Sequence, residues 1–196
     1  MKERRETVPN AEFTLVALLK ACAKKKDFHE GIRIHDEIRR RDERLLQKNP
    51  YLASTLVNMY VKCGMLSEAE QVVKSLPVRD VVSWSALISG YSYSHAHAHK
   101  VFDSLDDMRR EALSPNAITF TGIFKACGDI GNIGYGERMH DEIVKRGLFE
   151  KNPRIGTTGL IRMHAECGMI SMQCGLFEDL PIQDVVKWNS LISCYT

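Results

Sequence analysis

The hydrophobic residues of this chain recur every three or four positions, in blocks separated by glycine, proline and short polar stretches. Leu15, Leu18, Leu19 and Cys22 form the first block, and residues 28–41 form the second. This spacing places apolar side chains on one face of an amphipathic helix. The sequence therefore predicts that a pair of helices, packed against each other, lies near the start of the chain.

Proline, glycine and aspartate mark where the following helices begin and end. Pro50 opens an apolar block that stops before Gly64, and proline suits the first turn of a helix whereas glycine commonly follows the last turn. Asp80 precedes the next block and is a favoured N-cap residue. The complete pattern predicts eleven helices: five pairs and one single helix. After a lead-in segment (1–11), the pairs lie at 12–49, 50–80, 81–116, 117–153 and 154–184, and the single helix belongs to an incomplete last unit (185–196).

Much of the sequence occurs twice, as an internal repeat. Asp80-Val81-Val82 returns 104 residues later as Asp184-Val185-Val186, and Lys20-Ala21-Cys22 returns 105 residues later as Lys125-Ala126-Cys127. Self-similarity at a fixed offset indicates a repeat architecture, in which helix pairs stack on their neighbours to bury a continuous core. Because a lone amphipathic helix cannot bury its apolar face, we expect the incomplete last unit to continue in a longer array.

Composition agrees with a folded helical protein and excludes some classes of function. Of 196 residues, 44% are hydrophobic and 27% are charged, with a formal net charge of +2. This charge is too small to indicate nucleic-acid binding by itself, and the basic runs 24–26 and 39–41 are typical of solvated helix ends. No apolar run is long enough for a membrane helix. We therefore predict no membrane partner. The first six residues carry charges of both signs, which is not typical of a targeting peptide.

The cysteines and histidines do not form a recognisable catalytic or metal-binding pattern. Cys22 and Cys63 repeat as Cys127 and Cys167, each at the apolar end of a helical block, so we expect buried free thiols and a reducing compartment. His-x-Glu occurs three times, but the Pro-Cys-x-x-Cys that completes a zinc deaminase site is missing from the printed sequence. Alternating histidines over 95–99 lack further ligands at suitable spacing. We therefore predict no enzyme activity, no cofactor and no metal.

Longer phrases carry a family resemblance. They are Thr14-Leu15-Val16-Ala17-Leu18-Leu19-Lys20-Ala21-Cys22, Leu56-Val57-Asn58-Met59-Tyr60-Val61-Lys62-Cys63-Gly64 and Val81-Val82-Ser83-Trp84-Ser85-Ala86-Leu87-Ile88-Ser89. Together with the alternating unit lengths, these phrases resemble pentatricopeptide repeat (PPR) proteins of the PLS class, in which long, short and standard repeats alternate. Residues 93–100 depart from the family pattern and predict fraying of the helix that they open.

The resemblance implies a fold and a function. It implies an all-α, right-handed α-solenoid whose first helices line a concave groove that binds single-stranded RNA, about one base per repeat. It also implies a role in RNA processing, stability or editing-site recognition, in a mitochondrion or chloroplast, with an RNA-editing or processing factor as a further partner.

The family's base-reading positions can be placed on this sequence. In the family, the fifth residue of each first helix and the last residue of the repeat face one base. Asp is an acceptor only, whereas Asn donates and accepts, and the resemblance matches a last Asp to keto bases and a last Asn to amino bases. It thus assigns Ser54 with Asp80 to G, Ser85 with Asn116 to A and Thr158 with Asp184 to G, while Thr121 faces Asn152 or Pro153 and Asn189 favours a pyrimidine.

These assignments give a target close to G-A-N-G. The resemblance also places apolar residues that wedge between bases at the second position of each first helix, and these are Tyr51, Val82, Ile118 and Ile155. The alternative for each of the four is ordinary packing inside the protein. For the chain as a whole, the alternatives are a helical scaffold that holds a protein or peptide in its groove, and a remnant without function.

Overall fold

The computed structural model describes residues 9–148 and 154–168. Within these ranges the chain is helical and no residue lies in a strand. None of the helices described combines the length and apolar character needed to cross a membrane. The helices are α1 (Pro9–Lys25), α2 (Phe28–Arg41), α3 (Leu45–Lys48), α4 (Pro50–Lys62), α5 (Leu66–Ser75), α6 (Val81–Ser92), α7 (Ala98–Arg110), α8 (Ala117–Ile130), α9 (Ile133–Lys145) and α10 (Arg154–Glu166), with a 3₁₀ turn at His95–His97 between α6 and α7.

The helix boundaries follow the signals in the sequence. Pro50 occupies the first turn of α4, as expected from its fixed backbone angle and missing N–H. Gly64 and Gly131 follow α4 and α8 with positive φ angles of 78° and 68°, which glycine adopts without steric cost. Asp80 caps α6, because its Oδ1 accepts a hydrogen bond of 2.8 Å from the backbone N–H of Ser83. The predicted N-cap is therefore confirmed.

Two features differ from the expected pattern. The short helix α3 lies between α2 and α4, where the sequence pattern predicts no helix of its own. In the histidine-rich segment a 3₁₀ turn replaces the first turn of the expected helix, and the Ser94 Oγ and His97 Nδ1 atoms lie 2.8 Å apart. Regular α-helix then begins at Ala98, which is buried.

The chain divides into two compact units at Leu87, inside α6. In the first unit α1 packs on α4, and α2 and α5 flank them. The core of this unit consists of side chains with no exposed surface, among them Leu19, Leu52, Leu56, Val57, Met59 and Val73.

In the second unit α8 is the central helix, packed against α7, α9 and α10. The fully buried side chains of the second unit include Val101, Leu105, Phe120, Ile123, Phe124 and Leu160. Cys22 and Cys127 are buried free thiols, as expected, whereas Cys63 and Cys167 are half-buried. Burial raises the pKa of the Cys127 thiol to about 12, so this cysteine acts as a small hydrophobic side chain.

Each unit contains the same close approach between a glycine and a methionine. A Cβ atom at Gly31 would overlap the sulfur of Met59, and a Cβ atom at Gly136 would overlap the sulfur of Met163. The two pairs are equivalent in the sequence repeat. The missing side chain on the second helix of one pair thus makes room for a methionine on the first helix of the next pair.

This approach gives a prediction for stability. Gly136→Ala is expected to be less stable than Gly134→Ala by about 1–3 kcal/mol, since Met163 must leave its packed position. Gly134→Ala is the matched control on the same helix, because nothing lies within 4 Å of its Cβ position, and it is expected to be neutral or to stabilise by about 0.5–1 kcal/mol. Urea unfolding of both variants measures the effect. Equal midpoints for the two variants would show that the contact is not tight.

Candidate nucleic-acid interface

Large apolar side chains are exposed to solvent at one helix position that recurs along the chain. Tyr51, Val82 and Ile118 are each the second residue of their helices α4, α6 and α8, and 59%, 58% and 56% of their surface is exposed. More than half of each of these three side chains is therefore outside the core, and their role as base wedges stays a prediction. A single exposed apolar residue needs no explanation, but here the exposure recurs at the second position of three helices.

Phe13 is a fourth member of this set that the sequence reasoning missed. It lies 105 residues before Ile118, on the first helix of the first unit, and 80% of its surface is exposed. The repeat offset alone identifies it, since the two residues occupy equivalent positions. We call Phe13, Tyr51, Val82 and Ile118 the wedge set.

Two predicted base-reading residues at repeat ends lie within the described residues, Asp80 and Asn116, and both serve as helix caps. Asp80 caps α6 through Oδ1. Asn116 caps α8 in a capping box, in which its Oδ1 accepts from the Thr119 N–H at 3.1 Å and its own N–H donates to the Thr119 Oγ1 at 3.3 Å. In each cap, the hydrogen bond holds the Oδ1 atom of the side chain in place. The Asp80 Oδ2 and the Asn116 Nδ2 take no part in these caps, and their contact with a base stays a prediction.

Asn49 shows the opposite case at the start of α4. Its Oδ1 accepts from the Leu52 N–H at 3.0 Å, and its Nδ2 donates to the Glu12 Oε2 at 2.7 Å. Both polar atoms of this amide are therefore committed within the protein.

The predicted fifth-position hydroxyls differ in exposure. Ser54 and Ser85 are buried, with 6% and 2% exposed surface, and Thr121 is exposed. Each hydroxyl donates to a carbonyl in the preceding helical turn, of Tyr51, Val81 and Ala117 respectively. Burial leaves little of the Ser54 and Ser85 side chains exposed to a base. The pairing of Ser54 with Asp80, and of Ser85 with Asn116, stays a prediction.

Five other predicted residues cannot be placed at the level of side chains. Asn152, Asp184 and Asn189 lie outside the described residues. Thr158 and Ile155 belong to α10, but their side chains are not among the groups that the structure describes.

A basic cleft of about 220 Å³ lies between α1 and α4 in the first unit. Lys20 donates a hydrogen bond of 2.7 Å to the Tyr51 hydroxyl, and its Nζ lies 5.3 Å from the centre of the Tyr51 ring. The cleft therefore adjoins a member of the wedge set. Sequence reasoning missed it, because residues 24–26 look like an ordinary solvated helix end. The cleft is lined by Lys20, Ala23, Lys24, Thr55, Asn58 and Lys62.

His35 and His95 each lie close to a polar side chain of another helix. The His35 Nδ1 lies 2.8 Å from the Tyr60 hydroxyl; burial lowers the pKa of His35 and raises the pKa of Tyr60 to about 12. The His95 Nδ1 lies 3.4 Å from the Asp129 Oδ1. Over residues 9–148 and 154–168, no three side chains of His, Cys, Asp or Glu gather into a group that could hold a metal ion.

Stacked helix pairs with an exposed apolar residue at the head of successive first helices define a helical repeat protein. Comparison with known proteins identifies the family. Residues 79–129 match the PPR repeat family, and residues 13–42 and 52–81 match the PPR repeat. The chain therefore belongs to the pentatricopeptide repeat family.

Curated relatives agree with this assignment. The chain is 35% identical over 193 residues to the chloroplastic pentatricopeptide repeat-containing protein At4g18520 of Arabidopsis thaliana, a match that covers 98% of this chain and 30% of the relative. It is 31% identical over 182 residues to the mitochondrial pentatricopeptide repeat-containing protein At1g06140 of the same plant, covering 93% and 32%. The chain thus spans about a third of the length of these relatives.

Solved structures confirm the predicted fold class, an all-α pentatricopeptide repeat solenoid. Maize PPR10 in complex with an 18-nucleotide psaJ RNA element superposes with a TM-score of 0.72 at 17% identity, covering 92% of this chain and 26% of PPR10. The PPR domain of Arabidopsis thaliana protein-only RNase P 1, in complex with tRNA, superposes with a TM-score of 0.65 at 15% identity, covering 94% and 98%.

Proposed function

We propose that this chain is a sequence-specific, single-stranded RNA-binding segment of a PLS-class protein. The repeated exposure of the wedge set carries this proposal, since apolar side chains at equivalent helix positions suit the faces of successive unstacked bases. Family membership agrees with it, as do the RNA complexes of the two structural neighbours. The named relatives also place the protein in a mitochondrion or chloroplast.

The PLS class is supported by the alternation of unit lengths. The predicted units 12–49 and 117–153 are long, 50–80 and 154–184 are short, and 81–116 is of standard length. In the first long unit, the additional helix α3 occupies the residues between α2 and α4. A uniform array would not need such an inserted turn.

The chemistry of the repeat ends supports base selection. With Oδ1 held by the cap of α6, the second oxygen of Asp80 is oriented and can only accept, which suits the ring N–H of G. The Asn116 Nδ2 can only donate, which suits a ring nitrogen of A. The remaining units keep the assignments that the resemblance gives them. The proposed target is G-A-N-G.

The basic cleft supports contact with the RNA backbone. Three lysines surround it, and for Lys24 and Lys62 the described residues supply no ion-pair partner. Neutralising phosphates releases bound counterions and makes binding weaken as salt rises. We propose that the segment binds and positions RNA without catalysing a reaction, and that a separate editing or processing factor supplies the chemistry.

Selection from a random RNA pool tests the proposal. Several rounds of capture by the purified chain are expected to enrich G-A-N-G, and the enriched RNA should bind more tightly than the same sequence in duplex form. A pool that stays random after selection, with affinity no higher than for the duplex, would contradict the proposed function. Binding of peptides instead of RNA would favour the scaffold alternative.

A further inference from the structure

The six residues that line the basic cleft all have counterparts in the second unit. The sequence offset of 105 relates the α1 residues to α8, and the offset of 104 relates the α4 residues to α10. The two sets can therefore be compared position by position. In this order, Lys20, Ala23, Lys24, Thr55, Asn58 and Lys62 correspond to Lys125, Gly128, Asp129, Gly159, Arg162 and Glu166.

The two sets differ in charge. The first set contains three lysines and no acid. In the second set, Asp129 and Glu166 replace Lys24 and Lys62, so two positive and two negative groups cancel.

The acids of the second unit are paired with its cations. The Lys125 Nζ lies 3.2 Å from the Asp129 Oδ2, and their side chains are only 15% and 2% exposed. The Arg162 Nε donates to the Glu166 Oε1 at 2.6 Å, and this hydrogen bond raises the pKa of the guanidinium. Each of the two cations therefore already has a carboxylate partner, whose negative charge repels an incoming anion.

The space of the cleft is also filled in the second unit. A Cβ atom at Gly128 would overlap the Glu166 carboxylate, which therefore lies directly over this glycine. The corresponding pair in the first unit is Ala23 and Lys62, and there the cleft is open. A phosphate has room beside Lys62 but meets a carboxylate at Glu166.

We infer that, of these two equivalent sites, only the basic cleft of the first unit contacts the RNA backbone, and that Asp129 and Glu166 exclude phosphate from its counterpart in the second unit. The inference rests on the proposed function. The cleft would then supply phosphate contacts that its counterpart does not. Lys125 and Arg162, which a charge count would include among RNA-binding residues, would play no part in backbone contact.

The salt dependence of RNA binding tests this inference. The probe is a labelled single-stranded RNA of random sequence, which makes the result independent of the base assignments. Each phosphate contact in a single strand contributes about 0.7 to the slope of log affinity against log salt. Lys24→Gln and Lys62→Gln are each expected to reduce this slope by about 0.7, whereas Arg162→Gln, the matched control, should leave it unchanged. Glu166→Gln releases Arg162 and should steepen the slope.

The outcomes separate this inference from the proposed function. A loss of slope in Arg162→Gln as large as in Lys62→Gln would overturn the inference while RNA binding itself stands. An unchanged slope in Glu166→Gln would overturn it as well. If the unsubstituted protein binds no single-stranded RNA at low salt, both fail. Thermal melts of every variant show whether a lost slope reflects lost folding.

Discussion

Replacing Tyr51 and Val82 together by serine is expected to weaken binding of the selected RNA by about 30-fold or more. Stacking of one base on an aromatic side chain contributes about 1–3 kcal/mol, and burying an aliphatic side chain contributes a similar amount. The lower bound for the pair is therefore about 2 kcal/mol, and 1.4 kcal/mol is a factor of ten in affinity.

Folding should survive this double substitution. Both side chains are more than half exposed, and neither is the residue that caps its helix. Substitutions of such surface side chains usually change stability by about 0.5 kcal/mol or less. The melting temperature should therefore stay close to that of the unsubstituted chain. A titration with labelled RNA then reports binding alone.

Val78 and Val144 provide matched controls. They are exposed by 81% and 55%, but Val78 lies between α5 and α6, and Val144 lies in the second helix of its pair. Replacing these two valines by serine removes a comparable exposed apolar surface and is expected to leave RNA affinity unchanged. Equal losses in the two double variants would mean that the wedge set has no special role.

The helices could be predicted from the sequence because their signals are local. The proline at the start of α4, the glycine after it and the aspartate before α6 each act within one turn, so their effect does not depend on the rest of the fold. The helix α3 lacks such signals. It forms where the chain crosses from α2 to α4, and Arg44, before its first turn, makes no side-chain cap.

The candidate site could be predicted only in part. The wedge set was accessible to sequence reasoning, because its members share one position in the repeat, and only Phe13 was overlooked. The double use of Asp80 and Asn116 was less apparent, since one residue both caps a helix and is assigned to a base. The charge difference between the two units depends on which cations meet carboxylates across packed helices, and this appears only in three dimensions.

Asp80→Asn is expected to change the preferred base at one position from G to A. Asparagine and aspartate are equally good N-caps, so α6 should keep its start and the fold its stability. The head group nevertheless changes from an acceptor to one that can donate. A base-edge contact in duplex recognition is worth about 1–3 kcal/mol. The preference should therefore change by about fivefold or more.

Asp27→Asn is the matched control for this substitution. Asp27 caps α2 by accepting a hydrogen bond of 3.1 Å from the Glu30 N–H, and it holds none of the positions assigned to a base. The same change of chemistry at this second cap should leave the base preference as it is in the unsubstituted chain.

The decisive measurement is a competition between two single-stranded RNAs that differ at one nucleotide, G-A-N-G and A-A-N-G. The unsubstituted chain and Asp27→Asn are expected to prefer the first RNA, and Asp80→Asn the second. If all three proteins bind the two RNAs equally well, Asp80 does not select a base, and the central claim that capped repeat ends read RNA is wrong.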